Sequence, residues 1–180
     1  KANKDKVNLA NAGVGSASHL AGLLFMSEIE TVLTTIPYKG TGPAMNDLLG
    51  GQVDFMIDQT TNTTSHIKAG KIKVYAVTTA QKLPSMPEVP TMKEAGLPKY
   101  QMTVWHALYA PKATPKPIVD KLSKALQEAL KDANLKQRYA ELGAEVVAQD
   151  QATPEALRAH LKAEIEKWGP IIKKAGVYAD

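Results

Sequence analysis

Short apolar, β-branched runs recur through the first eighty positions, separated by stretches whose apolar residues fall three or four apart. Lys6–Ala12 (KVNLANA) reads as a strand, and Ser16–Glu30 carries Leu20, Leu23, Leu24 and Ile29 near helical spacing. Thr31–Tyr38 predicts a second strand. Gly42–Gly51 predicts a short helix, with Pro43 in its first turn and glycines at its end, where each is best tolerated. Gln52–Gln59 predicts a third strand, Thr61–Lys71 a helix ending at Gly70, and Lys73–Thr79 a fourth strand. Such alternation predicts an α/β fold with a mainly parallel sheet and helices packed on it.

Beyond Thr79 the texture changes. Ala80–Tyr100 holds four prolines and suits an irregular crossover. Gln101–Pro111 predicts a strand with Trp105, His106 and Tyr109 in its core. Helices follow at Thr114–Leu130, Asp132–Gly143 and Thr153–Gly176. The last has Thr153 as N-cap, Pro154 behind it and a stripe of Leu157, Leu161, Ile165 and Trp168, with Pro170 expected to kink or split it.

Composition narrows the chemistry. At 180 residues and 44% apolar the chain suffices for one full domain or two small ones. The net charge of +4 is spread out with no dense Arg/Lys block, which argues against a nucleic-acid partner. With no cysteine, disulfides, thiolate metal sites and a cysteine nucleophile are excluded. No apolar run reaches the ~20 residues of a membrane-spanning helix. The opening KANKDKVNLA has no hydrophobic leader core, and the compartment is not legible from it.

The chemistry-bearing segment is NLANAGVGSASHLAGLLF, Asn8–Phe25, where a glycine-flanked turn joins a strand to a helix. Gly13-Val14-Gly15-Ser16-Ala17-Ser18 lacks the third glycine of a dinucleotide fingerprint, and no Walker A pattern occurs. Neither does a nucleophile elbow; a hydrolase or transferase would have to use Ser16 with His19 or His106, and His19 lies one helical turn from Ser16, a poor place for its general base. The four histidines share no close spacing, so neither a metal nor any other cofactor is expected. A cradle for an anion fits better. Gly13 and Gly15 let backbone N–H groups converge where the following helix points its positive end, with Ser16 and Ser18 to cap it or to bind an oxygen. Tyr38, Lys39, Gly40, Thr41 and Gly42 offer a phenol, an ammonium, a hydroxyl and free amides at the next strand-to-helix joint. Each joint alone is equally a plain connection with capping residues. Asp58, at the third joint, suits capping, a ligand amine or hydroxyl, or orienting Lys39.

NAGVGSASHLAG, IPYKGTGPAMNDLLGGQVDFMID, HIKAGKIKVYAVTT and PEVPTMKEAGLPKY, continued by APKATPKPIVDKLSKAL, LGAEVV and EKWGPIIKKAG, together resemble the extracytoplasmic solute receptors of tripartite tricarboxylate transporters, the Bug proteins. The resemblance implies a type II periplasmic-binding-protein-like, three-layer αβα fold: two hinged domains holding a small carboxylate, which the receptor delivers from the periplasm to membrane permease subunits without catalysis. It implies ligand contacts from Ala12, Gly13, Val14, Gly15 and Ser16, from Tyr38, Lys39, Gly40, Thr41 and Gly42, and from Asp58. Residues 1–100 would be the family's second domain and 101–180 the returning part of the first, whose N-terminal segment is expected to be absent. Asn11 stands where the family usually has Ser, so its larger amide is expected to reach the ligand. Stripes such as Leu122, Leu126 and Leu130 would then need cover, by a homodimer or by repacking.

Overall fold

A computed structural model describes residues 2–176 of the chain, so both ends of the 1–100 and 101–180 division lie outside the described residues. A 3-10 turn at Lys4–Lys6 leads into β1 (Asn8–Asn11), α1 (Ala17–Glu28), β2 (Thr34–Pro37), α2 (Thr41–Leu49), β3 (Phe55–Met56) and α3 (Thr60–Lys68). The sheet is parallel in the order β2-β1-β3, with Asn8–Asn11 paired to Thr34–Pro37 on one side and Leu9 and Ala10 to Phe55 and Met56 on the other. The chain thus moves to one side of β1 and then crosses back over it. Such a reversal places a crevice at the carboxyl ends of the strands.

Strand alternation sorts the two faces. Leu9 meets α1 so closely that a Cβ at Gly22 would lie 2.8 Å from its Cδ2. Ala10 turns the other way and packs with Ala44 of α2 and Val53. Helices therefore cover both faces, the three-layer arrangement expected.

α4 (Lys116–Ala129), α5 (Ala133–Glu141) and α6 (Pro154–Ala175) complete the described chain. Trp168 of α6 packs with Met102 on Ala21 of α1, and the end of α5 meets α3, where Thr60 Oγ1 donates to Gly143 O at 2.9 Å. α6 runs unsplit through Pro170. The missing N–H leaves only the carbonyl of exposed Glu166 without its helical partner, where water can serve it.

Three expectations are corrected. β3 is two residues long and does not run from Gln52 to Gln59. Lys73–Thr79 is not a strand: Val77 makes one isolated bridge to Thr91, and its N–H goes to Pro90 O at 2.8 Å. Val77 packs there into a separate apolar cluster with Leu83, Met86 and Val89, so the proline-rich segment supplies the partners a sheet would have given. Gln101–Pro111 is also not a strand. Met102 exchanges hydrogen bonds with Thr78, but Val104, Leu108 and Tyr109 are exposed, and Trp105 lies against α6 with Nε1 3.4 Å from Glu164.

Candidate functional site

The first joint is a turn braced from within. Asn11 Oδ1 accepts the Gly13 N–H at 3.0 Å, an Asx-type bond spanning two residues. Ser18 Oγ accepts the Ala12 N–H at 2.8 Å, and His19 Nδ1 accepts the Gly15 N–H at 3.1 Å. Ser16 caps α1, its Oγ accepting the His19 N–H at 3.2 Å. Accepting at Nδ1 keeps the His19 ring neutral with its proton on Nε2, and burial lowers its pKa in the same direction.

The second joint is bonded to the first. Tyr38 N–H donates to Asn11 O at 2.9 Å and Gly40 N–H to Ala12 O at 3.0 Å. Gly13 has φ +121°, and a Cβ there would lie 3.0 Å from Tyr38 O, so only glycine lets the two turns approach this closely. The N-termini of α1 and α2 consequently lie side by side. α2 begins after Gly40 (φ +104°) with no side-chain cap, and α3 begins after Gln59 likewise uncapped. Among the described residues, the amides of Val14, Ala17 and Ser18 at one joint and of Lys39, Thr41 and Gly42 at the other have no acceptor. Helix N-termini and free N–H groups thus lie at neighbouring joints, the elements from which an anion site is built.

The third joint closes the group. Asp58 accepts from Asn62 Nδ2 at 3.2 Å, with Thr41 Oγ1 at 3.5 Å. Half-burial pushes its carboxyl pKa up, opposed by hydrogen bonds from the Gln59 N–H, Asn62 and Thr41. His106, from the extended segment, meets Gln59 at 2.9 Å.

Several side chains differ from expectation. The Tyr38 phenol is engaged, donating to Asp47 at 2.7 Å, a bond that raises its pKa. Asp58 is not the N-cap of α3 and makes no ion pair with Lys39 among the described residues. Ser16 Oγ contacts Ser18 Oγ and the His19 backbone, not an imidazole, so the Ser–His pairing has no geometric support. The bracing by Asn11 and His19 was missed, although Asn-x-Gly is a legible signal for an Asx turn. Two apolar hollows of about 360 and 390 Å³ lie under the N-terminal turn and between α1 and α6, the second reaching the first joint at Ala17. No group of three or more metal-ligating side chains occurs among the described residues.

Comparison with known proteins adds an independent line. Residues 1–177 match the family described as the tripartite tricarboxylate transporter family receptor. The chain is 49% identical over 176 residues to the UPF0065 protein in the TAR-I ttuE-ttuC' intergenic region of Agrobacterium vitis, covering 98% of this chain and 51% of that one. It is 34% identical over 176 residues to BugT of Bordetella pertussis, covering 98% and 53%. The chain thus spans about half the length of these curated relatives. Among solved structures, the periplasmic binding protein BugD superposes with TM-score 0.92 at 52% identity, over 99% of this chain and 60% of that one. MatC of Rhodopseudomonas palustris with bound malate gives TM-score 0.90 at 39% identity, over 94% and 58%. Rpa4515 of R. palustris with adipate gives 0.90 at 32%, over 98% and 58%.

Proposed function

Because the chain belongs to the tripartite tricarboxylate transporter receptor family, we propose that it supplies one wall of a periplasmic receptor that captures a small organic carboxylate and hands it to a membrane permease. The observation that carries this reading is the bonded pair of joints, Gly40 N–H to Ala12 O and Tyr38 N–H to Asn11 O, which sets two helix N-termini side by side. The carboxylate sits against the free amides of Val14, Lys39, Thr41 and Gly42 and the Lys39 ammonium, within the turns 12–16 and 38–42. Asp58, itself anionic, takes a hydroxyl or amine of the ligand and not a second carboxylate. Nothing in this arrangement breaks a bond. MatC with malate and Rpa4515 with adipate support the carboxylate class.

On this reading residues 1–100 are the ligand-gripping domain and 101–180 belong to its hinged partner. No helix of the described residues is long and apolar enough to cross a membrane. The exposed apolar residues of α4 seat a second copy of the chain.

Thermal melts with malate, adipate and a neutral sugar test the binding claim. A melting temperature that rises with carboxylate concentration and ignores the sugar is expected, since a ligand held by the folded state stabilises it by mass action. Identical melts in all three would rule the pocket out.

A further inference from the structure

Asn11 is the most enclosed polar residue of the first joint, 1% exposed. Its backbone carbonyl accepts the Tyr38 N–H and its Oδ1 accepts the Gly13 N–H, so only the Nδ2 end of the side chain is uncommitted. No described residue accepts from Nδ2. It is also not a sealed orphan: among the described residues the enclosed side-chain polar atom without a partner is Ser85 Oγ. Nδ2 is thus an amide donor left without an acceptor among the described residues and fixed in the turn by the bond that holds the other end of the side chain. A carboxamide clamped through its oxygen has no freedom to present that oxygen outward.

Resting on the carboxylate reading above, we propose that Asn11 is a specificity-determining residue whose Nδ2 donates to an oxygen of the bound carboxylate. The geometry selects for an acceptor and against a ligand amine or hydroxyl hydrogen at this point. It also separates two functions in one side chain, since Oδ1 shapes the turn and Nδ2 reads the ligand.

The test uses the ¹⁵N-labelled 180-residue chain titrated with malate, adipate and acetate. The Asn11 side-chain NH₂ pair, identified by its loss in Asn11→Ser, is expected to shift along the same saturation curve as the amides of Val14, Thr41 and Gly42. If those amides move and the Asn11 pair does not, the proposal is overturned while the pocket stands. If none of them responds to any of the three, both fall. Asn11→Asp keeps the acceptor for Gly13 and replaces the donor with a like charge. We expect it to bind about tenfold more weakly or worse, the scale of one hydrogen bond to a charged group, with the Gly13 amide resonance retained. Binding within about twofold of the parent, below that scale, also overturns the proposal.

Discussion

Gly13 stands where the first two turns meet, at φ +121° and with no room for a methyl group beside Tyr38 O. Gly13→Ala is expected to cost about 1–3 kcal/mol through backbone strain alone and to push the joints apart, which on the proposed reading weakens carboxylate binding. Gly42→Ala, inside α2 with nothing near its missing Cβ, is the control and leaves urea-unfolding stability almost unchanged. His19 sets a pH limit. Its pKa is lowered in the fold, so the unfolded chain binds its proton first as pH falls. The contribution is complete above the ordinary value of about 6.5 and is lost as pH drops from there through the folded pKa. Protonation also removes the acceptor of the Gly15 N–H. Comparing urea melts of the parent and His19→Gln across this range checks it: the parent should lose more stability on acidification. The glycines and the Ser16 cap were legible in the chain, because φ preference and capping are local properties. The commitments of Tyr38 to Asp47 and of His19 to the Gly15 N–H were not, because which of several nearby partners a side chain takes depends on where the backbone carries it.

α1, α2, α3 and the three C-terminal helices fell close to where spacing put them, and β1 and β2 lie within their expected spans, since 3.6- and 2-residue periods are written into short windows. Lys73–Thr79 and Gln101–Pro111 have the same β-rich composition without the structure. A strand requires a neighbour in register, and composition says nothing of whether one is present. α6 is secured chiefly by Trp168, which is buried against Ala21 and Met102 while Nε1 donates to Glu164 at 3.0 Å. Trp168→Ala is expected to cost about 3–5 kcal/mol and to free the helix from α1. Hydrogen exchange would then quicken along α6 first; uniform exchange across the molecule would show that this contact does not hold the helix.

The described chain leaves several large apolar side chains in solvent, among them Ile118 and Leu122 (43% exposed) on α4 and Ile165 (63%) on α6. An exposed apolar surface of this kind favours association. Light scattering is expected to show a mass that climbs with concentration above 19.4 kDa, and Leu122→Lys to reduce it; a constant monomer mass would count against the second copy. The sheet order has another consequence, for how the fold is reached. The earliest of the three strands is also the middle one, bonded to Thr34–Pro37 and to Phe55–Met56. During synthesis its Leu9-Ala10 stretch therefore emerges with both ladder edges vacant, and the second stays vacant until Met56 has cleared the ribosome. A nascent chain arrested between these points is the form in which chaperones would find it sticky.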